Sequence, residues 1–334
     1  MLCLHGEPTW GYLFRGLVSC FAATHRVVVP DHMGFGKSET PRGRSYWLQD
    51  HVDNLEALVL DLDLDDITLV MHDFGGPVGM GLAARHSDRI ARVVAVNGPT
   101  PFGQPELAKA LEDNGNESPW FRWVARAAGS DTLDNVLGEL GFNILSTLKL
   151  NGFENNQVIS QNWIRAYGAP FPTPEESLGA IGWAKGFATG AHRFETPTEA
   201  ARATLAQVPA LAIWGSADQT LHARHFLPLF RSAFPHGTVS ELPGVGHYSI
   251  EDAPDTVGAL LRQFLDTTEY NSSVSRRAQT QRRCAMPAAP FGAQGHISSG
   301  GSRDCQPGDT WPSRPRPAPP RCASSPSGVS SSGA

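Results

Sequence analysis

The chain has 334 residues and a formal net charge of −6; 40% of it is hydrophobic, with 34 Gly, 26 Pro and five Cys. That length accommodates one large or two modest domains. The charge is uneven, because residues 1–269 carry −12, and an acidic body argues against nucleic acid, whose phosphates are bound by Lys and Arg.

In chain order, short apolar runs rich in β-branched residues occur at Leu2–Leu4, Arg26–Pro30, Ile67–Met71, Val93–Val96, Ala210–Trp214 and Thr238–Leu242. Helical patterns separate them, so they are expected to be parallel strands of an α/β sheet. Before the third run, Leu48, Val52, Leu55, Val59 and Leu62 recur at spacings of four and three, which predicts a helix with one apolar face. After Pro254, Val257, Leu260, Leu261, Phe264 and Leu265 predict the closing helix. Residues 98–200 break the rhythm. They contain four Trp but no strand-like run, and an insertion of this length is expected to form a helical lid on the core made by 1–97 and 201–268.

From Tyr270 onward there is no Leu, Lys or Glu, and eight Arg stand against two Asp. The stretch 269–334 is read as a disordered low-complexity tail, or as the product of out-of-frame translation. It holds Cys284, Cys305 and Cys322, so only Cys3 and Cys20 remain in the body, too few for a disulfide framework or a zinc cluster. No run of about 18 apolar residues exists, so no membrane span is expected. No signal peptide is visible, and a cytoplasmic location is expected.

The chemistry concentrates at strand ends. Ile67–Met71 runs into His72-Asp73-Phe74-Gly75-Gly76-Pro77, a strand, sharp turn and helix with Asp73 at the apex. Asp73 could equally cap the next helix. No G-x-S-x-G occurs anywhere. The first strand leads to His5-Gly6-Glu7-Pro8, whose turn can aim a backbone N–H at the same point. Trp214-Gly215-Ser216-Ala217-Asp218 places a carboxylate past another strand, and Gly244-Val245-Gly246-His247 places a histidine past the next. Nucleophile, acid and base would thus come as Asp73, Asp218 and His247, the order expected of this arrangement.

With these stretches, and with Pro30–Ser38 (PDHMGFGKS), Ala166–Pro172 (AYGAPFP) and Gly244–Pro254 (GVGHYSIEDAP), the sequence resembles the α/β-hydrolase superfamily, within it the haloalkane dehalogenases. The resemblance covers about residues 1–268 and implies an α/β-hydrolase fold, a mostly parallel sheet with an inserted helical lid. That fold has two strands before the one at Leu2–Leu4, so a sheet lacking them is expected. The resemblance makes Asp73 the nucleophile, His247 the base and Asp218 the acid, with the backbone N–H groups of Glu7 and Phe74 as oxyanion hole. It implies no cofactor and no metal: the partners are a small apolar substrate and water. An ionised carboxylate attacks carbon without a base, and the base is needed when water attacks the resulting ester.

Carbon–halide hydrolysis is the first expectation. Dehalogenases, however, place Trp after the nucleophile, where this chain has Phe74, a side chain with no N–H for a departing halide. Trp120 or Trp123 could supply that donor from the lid. Epoxide hydrolases use two lid tyrosines, and here the lid offers Tyr167. β-Lactone decarboxylases share the Asp, His and Asp arrangement and are the other alternative; they too place Trp after the nucleophile, so Phe74 departs from both groups. A truncated or non-catalytic ligand-binding protein of the same fold is the reading from a different class. His5 is expected to prop the Gly-x-Pro turn, Asn97 to support the histidine, and His222 with His225 to form no metal pair.

Overall fold

The computed structural model describes residues 1–268, and the tail discussed above lies outside them. Five strands form one sheet in the order β1 (Leu2–Leu4), β2 (Ile67–His72), β3 (Ile90–Val96), β4 (Ala210–Gly215) and β5 (Thr238–Leu242). Every neighbouring pair is parallel. Parallel pairing needs a crossover between strands, and helices supply each one.

The central strands are buried on both sides, which is why they read as continuous apolar runs. On one face Leu4, Leu69, Met71, Val93 and Ala95 pack with α2 (Leu48–Asp61) and α3 (Gly75–Arg85). On the other Cys3, Val70, Val94 and Ile213 meet α1 (Arg15–Phe21) and α13 (Pro254–Thr267), which contributes Val257 and Leu261. The spacing in α2 delivers what it predicts: Leu48, Val52, Leu55 and Val59 are all buried.

The expected strand over 26–30 is not one. Val28 makes a single bridge to Leu2, with Cys3 N–H donating to its carbonyl and its own N–H donating to Met1. All three residues of β1 pair with β2, so its length is not the limit; the next donor along this run would be Pro30, which has no N–H to give.

Between β3 and β4 the chain forms helices α4 (Leu107–Glu117), α5 (Pro119–Ala127), α6 (Thr132–Gly138), α7 (Leu140–Leu150), α8 (Gln161–Gly168), α9 (Leu178–Thr189) and α10 (Glu199–Leu205). Ser118, Ser160 and Thr198 cap α5, α8 and α10 by accepting a backbone N–H. After β4 come α11 (Ala223–Ala233) and, past β5, the short α12 (Ser249–Asp252). Among the described residues no helix is long and apolar enough to cross a membrane.

Candidate active site

Asp73 follows β2 directly and takes φ +50°, a left-handed conformation that lifts its side chain above the sheet end. Such a turn requires close backbone neighbours. A Cβ on Gly6 would fall 2.2 Å from Asp73 Oδ1, and one on Gly75 would fall 2.3 Å from the Leu4 carbonyl oxygen. Glycine at both positions lets the turn after β1 reach the carboxylate.

The Glu7 backbone N–H donates to Asp73 Oδ1 at 2.8 Å. On the other side, His247 Nε2 lies 3.4 Å from Asp73 Oδ2, within ion-pair range, while His247 Nδ1 lies 2.9 Å from Asp218 Oδ2. Asp218 Oδ1 accepts the N–H groups of Thr220 and Leu221, both at 2.8 Å. The three residues that the sequence sets apart thus form one continuous line, and both oxygens of Asp218 are engaged.

Electrostatics follow from that line. Burial works against the charged form of Asp73, but His247, 3.4 Å away, together with the Phe74 amide, holds it below the usual carboxylate value. Burial also opposes a charged His247. The charges of Asp218 and Asp73 outweigh it and push its pKa up to about 10. Neighbouring His72 goes the other way, lowered to about 4 by burial and by the charge of His247. Glu7 is raised well above its ordinary value by burial and by Asp73, and its Oε1 is buried without a hydrogen bond.

The supporting residues differ in reach. Asn97 Nδ2 donates to Asp218 Oδ2 at 2.8 Å, so it holds the acid and not the histidine. His5 does prop the turn: Nδ1 lies 3.1 Å from the Gly6 carbonyl and Nε2 accepts the His32 N–H at 3.0 Å. His222 pairs with Asn114 and His225 with Glu117.

A cavity of about 460 Å³ opens on Asp73 and Phe74. Its wall is mainly apolar, with Pro77, Pro99, Leu111, Phe121, Phe187 and Phe226 among the lining residues. Trp120 and Trp123 do not line it. Their rings pack on each other at 5.2 Å, while Phe121, Val124 and Ala125 of the same helix face the cavity. Tyr167 is also outside: its hydroxyl donates to Glu251, which Arg15 grips with both terminal nitrogens and Trp163 Nε1 reaches at 3.3 Å. The indole closest to Phe74 belongs to Trp183, with centroids 4.1 Å apart, and its N–H donates to His51 Nε2. His192 lines the cavity, yet Nδ1 accepts the Leu48 N–H at 3.0 Å and Nε2 lies 3.0 Å from the Trp183 carbonyl. Nothing in the local sequence signals the Trp183–His51 pair or the contact of His192 with Leu48, since the partners are 132 and 144 positions apart.

Comparisons with known proteins agree with this architecture. The alpha/beta hydrolase fold family matches residues 1–254. The chain is 34% identical over 276 residues to a cis-3-alkyl-4-alkyloxetan-2-one decarboxylase from Shewanella oneidensis, covering 80% of this chain and 82% of that protein. It is 27% identical over 268 residues to haloalkane dehalogenase 2 of Mycobacterium tuberculosis, covering 78% and 85%. A solved epoxide hydrolase variant from Bacillus megaterium superposes with a TM-score of 0.64 at 22% identity, covering 80% of this chain and 93% of that one. The chain belongs to the alpha/beta hydrolase fold family.

Proposed function

We propose that the protein opens a small apolar substrate through a covalent ester on Asp73, and that the bond broken is carbon–oxygen in a strained ring, with an alkyl-substituted β-lactone as the substrate class. One observation carries this reading. The Asp73, His247 and Asp218 line opens on a cavity whose lining includes no indole or phenol. A departing halide needs N–H donors when it leaves water, and the Phe74 side chain offers none. An oxygen leaving as a carboxylate tethered to the substrate keeps its charge delocalised. The 34% identity to an oxetanone decarboxylase supports the same substrate, since an oxetan-2-one is a β-lactone.

In the first step Asp73 Oδ2 attacks the ring carbon that bears oxygen. The C–O pair passes to the ring oxygen, which leaves as carboxylate. Esterification removes the charge of Asp73, one of the groups that hold His247 protonated, so the imidazole becomes a competent base at the point where one is needed. It takes a proton from water, whose oxygen attacks the Asp73 carbonyl. The Glu7 and Phe74 N–H groups receive the oxyanion, a contribution of about 3 kcal/mol per donor. Collapse releases a β-hydroxy acid, with the proton returned from His247. Asp218 orients the imidazole throughout.

A second reading keeps the ester and changes its fate. The freed carboxylate lies β to the Asp73 C–O bond. Loss of CO2 forms the alkene while that C–O pair returns to Asp73, and no water is consumed. The name of the Shewanella oneidensis relative favours it.

His247→Gln, incubated with cis-3,4-dibutyloxetan-2-one, 1,2-epoxyoctane and 1-bromohexane, tests the proposal by intact mass and peptide mapping. The lactone is expected to add its whole mass to Asp73. Adduct formation from the bromide alone, or adducts from none of the three together with no turnover by the wild type, would overturn it. Wild-type products separate the two fates: hydroxy acid against alkene plus CO2.

A further inference from the structure

The turn that follows α7 is bonded to the histidine loop as well as to its own helix. The Gly152 carbonyl accepts the His247 N–H at 2.9 Å, and the Asn151 carbonyl accepts the Thr220 hydroxyl at 2.9 Å. Past Phe153, the amides of Glu154 and Asn155 donate to Asp252 Oδ1 at 3.0 and 2.8 Å, while Asp252 Oδ2 accepts the Gly246 N–H at 3.0 Å. The approach is as close as backbones allow, since a Cβ on Gly246 would fall 2.0 Å from the Gly152 oxygen.

One side chain extends this contact to the far side of Asp73. Tyr248 is 1% exposed, with its ring 4.8 Å from that of His247. Its hydroxyl accepts from Asn151 Nδ2 at 3.3 Å and donates to the Glu7 carbonyl at 3.2 Å. The N–H of the same Glu7 is the donor to Asp73 Oδ1. Asn151, Tyr248 and Glu7 therefore form a chain from the helical insert, past the histidine, to the group that faces the ester oxygen.

We infer that Tyr248, held by Asn151, is a positioning residue for the breakdown of the Asp73 ester: it fixes the Glu7 turn and the His247 loop in one register with the insert. The inference rests on the ester mechanism proposed above. It makes a kinetic distinction. The Glu7 N–H already bonds the free carboxylate, so loosening the turn does not hinder the attack that forms the ester. Ester breakdown returns charge to that oxygen and depends on the donor's position, where a displacement of about 1 Å costs on the order of 100-fold.

Tyr248→Phe keeps the ring and removes the hydroxyl; Asn151→Leu keeps the bulk and removes the donor. With cis-3,4-dibutyloxetan-2-one, each is expected to lower kcat and KM together by on the order of tenfold, leave kcat/KM unchanged, and accumulate the Asp73 ester at steady state despite an intact His247. Tyr248→Phe with kcat/KM reduced alongside kcat, or with no ester detected, overturns the inference. If Tyr248→Phe does not fold, Asn151→Leu carries the same test. The pattern in Tyr248→Phe but not in Asn151→Leu overturns the link to the insert. His247→Gln with the same lactone keeps the two proposals apart: trapping there without accumulation in Tyr248→Phe defeats this inference alone, whereas no trapping together with no turnover of the lactone by the wild type defeats the ester mechanism.

Discussion

Asn97 donates to the same oxygen of Asp218 that His247 reaches, at 2.8 Å against 2.9 Å for the histidine. Its own Oδ1 accepts the Ser249 hydroxyl and, at 3.3 Å, the Gly215 N–H, and its backbone sits at φ +46°. It is a buried polar junction under the acid. Asn97→Ala leaves a carboxylate oxygen, a hydroxyl and an amide each short of one partner, which destabilises the fold by about 3 kcal/mol. Catalysis suffers through Asp218: losing one charge-assisted hydrogen bond of about 1.5 kcal/mol slows ester breakdown about tenfold. Urea titration and single-turnover kinetics check the two effects separately.

Glu7 sets a pH dependence of opposite sign to that of a salt-bridged carboxylate. Its carboxyl is raised well above the ordinary 4.5 by burial and by Asp73, so the folded chain holds a proton that the unfolded chain releases. Stability from this group is complete below pH 4.5 and is lost as pH rises above it. Glu7→Gln removes the titration and leaves the backbone N–H in place. Its stability relative to wild type should therefore climb between pH 4 and pH 8, by about 1–3 kcal/mol in all. A constant offset across that range would contradict the assignment.

Phe74 is the position where leaving-group choice can be rewritten. Its ring packs 4.1 Å from Trp183 and 5.0 Å from His192, so the site is already full. Phe74→Trp is expected to cost about 1–3 kcal/mol by overpacking. It also brings an indole N–H to the cavity floor. In the His247→Gln background the double variant should form the hexyl ester from 1-bromohexane about tenfold faster, the gain of one donor worth about 1.4 kcal/mol, with the lactone rate no higher.

Arg15 is 40% exposed while Glu251 is 5% exposed, so the pair has one foot in water. Arg15→Met leaves the Glu251 charge buried with only Tyr167 and Trp163 as donors, a loss of about 2–3 kcal/mol once exposure of the arginine is discounted. Arg15→Met with Glu251→Gln should regain part of it, because the amide oxygen still accepts from the two aromatics. A double-mutant cycle in urea reads the coupling directly.

The line of Asp73, Asp218 and His247 was legible because each residue sits in a glycine-flanked loop directly after a strand, and strand ends are fixed by local pattern. The sheet was legible for the same reason, apart from 26–30, where a β-branched run makes one bridge and ends at Pro30, which has no N–H to continue the ladder. Orientation within the insert was not. Trp120, Trp123 and Tyr167 are the right residue types for a donor, but which helical face turns to the cavity depends on packing between helices distant in sequence. Trp183 shows the limit, since its N–H is directed by His51, 132 positions away. Tyr248 sits next to His247 in the chain, yet its role depends on Asn151, 97 positions distant, and on Glu7, 241 positions distant.

The grip of Arg15, Tyr167 and Trp163 on Glu251 also bears on how molecules are expected to reach Asp73. It ties the α8 end of the insert to the body, whereas the α4 end presents the exposed Glu112 and Asn116 in the lining of the cavity. The expected route to and from Asp73 therefore runs along α4, past Leu107 and Leu111 of the cavity lining. Asn116→Trp should slow product escape, while Arg165→Trp on α8 leaves it unchanged; equal slowing by both would place the route elsewhere.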